Sequence, residues 1–347
     1  MTPLARGTLL AVLAALAFGA SVPLIRLFGR DAGPWSTAAL LYAGAALAGF
    51  VASRPARREA PPRGPALLRI ALAGLIGAAL APVLLAWGLQ RTSALDGSLA
   101  LAFESAATVV LAVVLLREHV GPRTFVAVLA TSLGAVLLAF GGAAPLQAFS
   151  VGTLAVVVAT IFWAADSTLT GTLAHLDPGR VTFWKCAFGA AVSGAAAVAV
   201  RDTRPPAAHA LALLIIGALA YGVSLRWYLM AQRAFGAART ASIFALAPFA
   251  GAIVAIALGD RPTLLTALAA AVLLLGVYLH ATERHGHEHV HSPERHEHAH
   301  AHDDGHHVHE HGDAADSGAP HSHTHDHSRQ VHGHAHGSDF HHTHKHG

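Results

Sequence analysis

Charged residues are scarce in this chain. Only 12% of its 347 residues are Asp, Glu, Lys or Arg, against about 25% in a typical soluble domain. Hydrophobic residues make up 54%, so the composition argues against a soluble enzyme and against an ordinary disordered protein. The single cysteine, Cys186, excludes an intramolecular disulfide and a metal site built from cysteines. Because the sequence has no nucleophile triad, phosphate loop or dinucleotide motif, we expect no enzymatic activity, no required cofactor and no nucleic-acid partner.

The few charges that are present divide the chain into two parts. Residues 1–284 carry a net charge of +10, whereas residues 285–347 carry a net charge of −7. The second part also holds 23 of the 27 histidines. The chain therefore consists of an apolar, basic body followed by a polar, acidic, histidine-rich tail.

The body is a series of apolar windows separated by charged residues, proline and glycine. Each window is long enough to cross a hydrocarbon core of roughly 30 Å, and an α-helix satisfies every backbone group within lipid. We therefore predict an all-α membrane protein with ten transmembrane helices embedded in a lipid bilayer. The windows are 7–28, 35–53, 67–89, 95–116, 122–141, 150–174, 181–200, 209–230, 240–258 and 263–281.

The two halves of the body are related in sequence. Gln90-Arg91 and the small-residue helix that follows it match Gln232-Arg233, 142 residues later, and its following helix. Because each half has five helices, an odd number, the two halves insert with opposite orientations, which is typical of secondary transporters. We predict two five-helix domains at 1–141 and 150–281, and a disordered tail at 282–347.

Arginine positions predict the orientation in the membrane. With the N-terminus inside, inner segments contain 11 arginines and outer loops contain 6, so the positive-inside rule predicts cytoplasmic termini. The abundance of Ala, Gly and Arg beside only two lysines is typical of a GC-rich bacterial genome. We therefore expect a multi-pass protein of a bacterial inner membrane.

Short motifs occur at corresponding places in the two halves. The first half contains Trp87 to Ala94 and then Val109 to Glu118, and the second contains Gly236 to Ala241, Leu246 to Phe249 and Leu258 to Asp260. These motifs resemble the EamA-type drug/metabolite transporter family, and the resemblance extends over most of the body in two copies. The resemblance implies a ten-helix bundle that exports or imports small solutes by alternating access.

The halves depart from the pattern of that family in different ways. The tryptophan of the first helix is Phe18 in the first half, whereas Trp163 keeps it in the second. The basic residue of the second helix is missing near Tyr42, whereas Lys185 occupies the comparable place in the second half. The glutamate that follows the ninth helix is Asp260, for which we expect a capping role. An asymmetric substrate site follows from these differences.

Two acidic residues lie deepest in the predicted helices, Glu104 in the fourth and Asp166 in the sixth. Inserting a charged side chain at the bilayer centre costs about 2.5–3.5 kcal/mol of free energy on insertion scales. We therefore regard each acid as a candidate functional residue. Because apolar surroundings favour a neutral carboxyl group, either acid is a candidate for proton coupling or cation binding. The alternative is an ion pair within the bundle, for which Lys185 and Arg226 are available.

The other candidates for substrate contact each have a structural role as an alternative. Lys185 and Arg226 are predicted near the cytoplasmic face, where anchoring at the membrane interface is the alternative to substrate contact. Trp87, Trp163 and Tyr221 are candidates to line a cavity, and the alternative is packing or an interfacial aromatic belt.

In the tail, histidine alternates with other residues and with interleaved Glu and Asp. It has few apolar residues, so we predict disorder in the absence of metal. Imidazole and carboxylate groups suit Zn, Ni, Co or Cu, so the tail is predicted to bind divalent metal ions. The predicted metal ligands are His285, His287, His289, His291, His296, His298, His300, His302, His306, His307, His309, His311, His321, His323, His325 and His327.

Three functions are compatible with this sequence. The first is a secondary transporter of a small organic metabolite, favoured because the few histidines of the body lie near helix ends. The second is an exporter of Zn, Ni or Co, with Asp166 and Glu104 as transient ligands. The third is a membrane-anchored sensor of metal or pH that uses the tail.

Overall fold

A computed structural model describes the body with short gaps and four segments of the tail. The described residues are 3–52, 63–111, 113–114, 122–140, 150–171, 173, 176, 178–235, 240, 243–281, 285–291, 294–300, 321–327 and 330–336. The chain divides into two compact units, the helical body and the segment Arg284–Gly337.

The described body is helical, and every predicted window contains a helix. Among the described residues, seven helices are long and apolar enough to cross a membrane, whereas the apolar segments Phe125–Phe140, Ala247–Ala257 and Leu264–Leu279 are shorter. The helices are α1 (Pro3–Gly29), α2 (Pro34–Ala52), α3 (Pro65–Leu75, Ile76–Leu80 and Ala81–Leu89), α4 (Ala94–Ala100 and Phe103–Leu111), α5 (Pro122–Phe140), α6 (Val151–Gly171), α7 (Pro178–Ala199), α8 (Ala207–Ile216, Gly217–Val223 and Ser224–Phe235), α9 (Ala247–Ala257) and α10 (Leu264–Ala281).

The two halves have irregular backbone at corresponding places. The middle segments of α3, Ile76–Leu80, and of α8, Gly217–Val223, are both π-helical. A turn at 101–102 interrupts α4, and a turn at 245–246 precedes α9. Helix packing follows the same correspondence, since α1 packs on α8 and α9 as α6 packs on α3 and α4. Helix α2 packs on its counterpart α7, and α5 packs on α10.

Hydrogen bonds bring the end of α1 and the start of α6 to the same end of the body. Arg26 Nε at the end of α1 donates to the carbonyls of Leu89 (3.2 Å) and Thr92 (2.9 Å). The hydroxyl of Thr92 lies 2.8 Å from that of Thr153, which is in the first turn of α6. Helix α1 and its counterpart α6 therefore run in opposite directions at this end.

Acidic residues at the ends of second-half helices cap helices of the first half. Asp260, which follows α9, accepts a hydrogen bond from the backbone N–H of Leu95 in the first turn of α4 (2.9 Å). Asp202, which follows α7, accepts from the N–H of Ser36 in the first turn of α2 (2.9 Å). Carboxylates are favourable at helix N-termini because they satisfy free N–H groups and the helix dipole. The capping role expected of Asp260 is thus observed.

Glycines allow the helices of the two halves to cross closely. A Cβ atom at Gly44 of α2 would overlap the carbonyl of Leu214 in α8, and one at Gly217 would overlap the carbonyl of Leu41. Gly189 makes the corresponding close approach of α7 to α3. Small residues at such crossings let backbones approach where lipid provides no hydrophobic driving force.

The described parts of the tail form four strands, β1 (His285–His291), β2 (Glu294–His300), β3 (His321–His327) and β4 (Gln330–His336). β1 pairs antiparallel with β4, and β2 with β3, and histidine is opposite histidine at three positions of each pair. Disorder of the tail in the absence of metal stays a prediction. The alternation of histidine has the two-residue period of a β-strand, and strand pairing satisfies backbone groups without an apolar core.

We expect Gly44→Ala to lower the unfolding temperature of the protein in detergent, because overpacking costs about 1–3 kcal/mol. Cys186 is fully buried, so its reaction with a thiol-reactive dye reports unfolding. Gly194→Ala is the matched control, since a Cβ there would lie 4.0 Å from the Ala39 methyl group. Equal unfolding temperatures for both variants would contradict the close crossing of α2 and α8.

Candidate functional site

An ion pair lies inside the body between α6 and α7. Asp166 and Lys185 are only 4% and 5% exposed, and Lys185 Nζ lies 2.5 Å from Asp166 Oδ2. The hydroxyl of Thr170, one turn further along α6, donates to Asp166 Oδ1 (3.1 Å). Both carboxylate oxygens therefore have a partner, as a buried charge requires.

The anchoring role considered for Lys185 is wrong. Helix α7 begins at Pro178, three residues before the predicted start, so Lys185 lies two turns inside the helix. There its ammonium group is buried and pairs with Asp166. Arg226 is not a partner of this pair, because its Nη1 donates to the carbonyl of Ala52 at the end of α2 (3.1 Å).

Glu104 lies near this ion pair without joining it. It is the second residue of the α4 segment that begins at Phe103, directly after the interruption of the helix. Both Asp166 and Lys185 are within electrostatic range of its carboxyl group. Among the described residues, that carboxyl group has no hydrogen bond and no ion pair. With Glu104 ionised, the three groups sum to one negative charge.

A backbone carbonyl in α3 connects three helices beside these charges. The carbonyl of Gly77 accepts from the Tyr42 hydroxyl (2.8 Å) and from Trp163 Nε1 (2.9 Å). This carbonyl accepts no hydrogen bond from the backbone of α3. In the π-helical turn the N–H of Ala81 donates to the carbonyl of Ile76 instead of that of Gly77, and Pro82, which follows Ala81, has no N–H to donate. The irregular backbone of α3 thus orients one aromatic residue of each half.

Four aromatic side chains, the aromatic cluster, meet where the halves face each other. Phe18 lies 5.8 Å from Trp163 and 5.4 Å from Tyr221 between ring centroids, and Tyr42 lies 5.2 Å from Tyr221. Phe244 extends the cluster, with its ring 5.3 Å from that of Phe18. Tyr221 is also within electrostatic range of the Glu104 carboxyl group, so the aromatic cluster lies near the charged groups.

The structure brings together five of the seven residues proposed from the sequence. Glu104, Asp166, Lys185, Trp163 and Tyr221 lie in one region of the body, whereas Arg226 and Trp87 lie elsewhere. The ring of Trp87 lies 4.0 Å beneath the guanidinium of Arg91 and lines a separate groove with Pro34 and Trp35. Trp87 therefore packs away from the site.

Sequence reasoning missed Phe18, Tyr42 and the Gly77 carbonyl as members of the site. The internal repeat contained a signal for the first two, because Phe18 corresponds to Trp163, and Tyr42 to Lys185. The role of Gly77 depends on a π-helical turn, which has no recognisable residue pattern, although Pro82 within an apolar window marks the place.

Metal ligands are not clustered in the part of the body that the structure describes. No group of three or more His, Cys, Asp or Glu side chains there could hold a metal ion. The side chains of the predicted tail ligands, from His285 to His327, lie outside the described residues.

We expect Asp166→Asn to destabilise the protein by about 3–5 kcal/mol, because it leaves the Lys185 ammonium buried without a counter-charge. The double variant Asp166→Asn/Lys185→Met, which removes both charges, should recover most of that loss. The measurement is the unfolding temperature reported by Cys186 labelling. The ion pair would be contradicted if Asp166→Asn were as stable as the double variant.

The EamA-like transporter family matches the chain twice, at residues 5–140 and at residues 150–282. A comparison with curated proteins gives no match. Among solved structures, one titled "Crystal structure of protein" is 19% identical, with a TM-score of 0.58 over 79% of this chain and 97% of that chain, a likeness of fold alone. The two family matches span both halves of the helical body, and the chain belongs to the EamA-like transporter family.

Proposed function

We propose that this chain is a secondary transporter that moves a small organic solute by alternating access, and that Glu104, Asp166 and Lys185 form its site with the aromatic cluster. One observation carries this proposal: a buried ion pair lies beside a carboxyl group without a partner among the described residues. Ionisable groups inside a membrane are costly and mark substrate or ion pathways. An Asp166–Lys185 pair with a purely structural role would not need the third ionisable group, Glu104, beside it.

Both halves of the body contribute to this site. Phe18, Tyr42 and Glu104 belong to the first half, whereas the ion pair, Trp163 and Tyr221 belong to the second. The opposite directions of α1 and α6 and the equivalent packing of the halves support an inverted repeat. Rocking of one half against the other would then expose the site to each side of the membrane in turn.

Irregular backbone near the site supports its placement. The interruption at 101–102 directly precedes Glu104, and the π-helical segments of α3 and α8 contain Gly77 and Tyr221. Non-helical backbone at membrane depth is tolerated where it is buried in protein or lines a cavity. Interrupted helices supply substrate and ion sites in many transporters.

The proposed orientation places both termini in the cytoplasm of a bacterial inner membrane. The excess of arginines in the inner segments, 11 against 6, supports it. We propose an organic metabolite as the substrate and not a transition metal, because the described body offers no group of three metal ligands. The metal exporter and the membrane-anchored sensor are the competing functions.

A flux assay separates these functions. We expect the full chain in proteoliposomes with an imposed pH gradient to move at least one member of a panel of radiolabelled amino acids, aromatic amines and carboxylates, and not Zn²⁺, Ni²⁺ or Co²⁺. Glu104→Gln should reduce that flux at least tenfold, whereas Asp31→Asn, the same change in an exposed loop, should leave it intact. Metal flux alone would favour the exporter, and no flux at all would favour the sensor.

We further propose that the tail binds divalent transition metal ions independently of transport. Its strand pairing places His285 opposite His336 and His296 opposite His325, with further histidine pairs at every second position. Imidazole is a preferred ligand of Zn, Ni, Co and Cu ions, and the carboxylates interleaved in the sequence of the tail can complete a coordination shell.

We expect the full chain to bind several Ni²⁺ or Zn²⁺ ions per molecule in a calorimetric titration. Deletion of residues 285–347 should abolish this binding, because the described body has no cluster of ligands. Solute flux should persist in the deleted protein. Unchanged metal binding after the deletion would contradict the proposed role of the tail.

A further inference from the structure

The charge of the site restricts the substrate. Among the described residues, the charged groups in electrostatic range of Glu104 are Asp166 and Lys185. Lys185 is already paired with Asp166 at 2.5 Å, so no described cation is left for Glu104. An ionised carboxylate without a counter-charge is unfavourable inside a membrane protein. Glu104 is half-buried, so a bound proton or a bound cation would stabilise it.

The aromatic cluster offers ring faces to such a cation. The polar atoms of Tyr42 and Trp163 are both directed to the Gly77 carbonyl, so their rings contribute mainly π-electron density. Phe18 and Tyr221 pack edge to face, with an interplanar angle of 71°, so the rings of the cluster are not parallel to one another. Rings of this kind attract ammonium groups, most strongly where water is excluded.

The hydroxyl of Tyr221 supplies a hydrogen-bond acceptor in the same place. Tyr221 is 5% exposed, and its hydroxyl has no hydrogen-bond partner among the described residues. Ser21 of α1 lies near this hydroxyl without the geometry of a hydrogen bond to it, and the Ser21 hydroxyl donates to the carbonyl of Phe18 (2.6 Å). A buried hydroxyl without a partner is unfavourable and points to a ligand that satisfies it.

We propose that the transported solute is an organic monocation, an amine with an aromatic or apolar body, which binds between Glu104 and the aromatic cluster in exchange for one proton. This inference rests on the proposed transport function and names its substrate class. The exchange is balanced: the Glu104 carboxyl group releases its proton to water, and the ammonium group pairs with the resulting carboxylate. The Tyr221 hydroxyl oxygen accepts one ammonium N–H.

Other classes of solute fit these groups less well. An organic anion would add a second unpaired negative charge beside Glu104. A zwitterion such as an amino acid would need a cation for its carboxylate, and Lys185 is engaged by Asp166. A neutral solute would leave the carboxyl group and the Tyr221 hydroxyl without the partner that an ammonium group provides.

Three solutes of similar size test the charge requirement directly. Tyramine carries an ammonium group, tyrosine adds a carboxylate, and 4-ethylphenol lacks the amine. We expect the full chain in weakly buffered detergent to bind tyramine with the release of up to one proton, and to bind tyrosine and 4-ethylphenol at least tenfold more weakly. The Glu104→Gln variant should release no proton but should unfold at the same temperature as the unchanged chain. The Asp31→Asn variant should differ from the unchanged chain in neither proton release nor unfolding temperature.

Tetraethylammonium separates the roles of the rings and of the hydroxyl, because it has no N–H to donate. Tyr221→Phe should weaken tyramine binding about tenfold, the loss expected for one hydrogen bond to a charged group, and leave tetraethylammonium binding unchanged. An equal effect on both solutes would overturn the assignment of the hydroxyl.

The outcomes distinguish this inference from the proposed function. If tyrosine or 4-ethylphenol binds as tightly as tyramine, or if neither tyramine nor tetraethylammonium binds, the substrate class is wrong while transport of another solute can still be measured. If tyramine binds with proton release but no solute crosses the proteoliposome membrane, the transport function is wrong and the chemistry of the site stands.

Discussion

A charge buried in an apolar body must meet an opposite charge, and the Asp166–Lys185 pair satisfies that constraint where the two halves of the chain meet. The charges of the pair cancel each other. Glu104 is then the group whose charge has to be balanced by a proton or a cation that binds and dissociates. The apolar bundle surrounds these groups with a medium of low dielectric constant. The electrostatic energy of each unpaired charge is therefore larger there than in water. We propose that a proton or the transported solute is the counter-ion of Glu104.

The surrounding architecture holds that site in place through backbone irregularities. Pro82 and the π-helical turn free the Gly77 carbonyl, which then fixes the directions of Tyr42 and Trp163. Gly44 and Gly217 allow α2 and α8 to cross closely, and this crossing brings the Tyr42 and Tyr221 rings within 5.2 Å. Departures from regular helix therefore position the aromatic groups, and they occur in both halves because the halves are related.

Much of the fold was predictable from the sequence. Apolar windows gave helices close to their observed positions, because length and hydrophobicity dominate in lipid. Asp166, Glu104 and Trp163 were identified as candidates because charge and indole are rare inside such helices.

The position of Lys185 within its helix was mistaken because the start of α7 was placed three residues late. Tyr42 and Gly77 were missed because their roles depend on contacts between helices.

The central claim is that one carboxyl group, Glu104, exchanges a proton for an organic cation beside a permanent ion pair. Infrared difference spectroscopy measures this directly, since a protonated carboxyl group has a C=O stretching band that the carboxylate lacks. Addition of tyramine to the full chain should remove one such band, and Glu104→Gln should abolish the difference. A band that persists with tyramine bound, or that is lost equally in Glu104→Gln, would contradict the account.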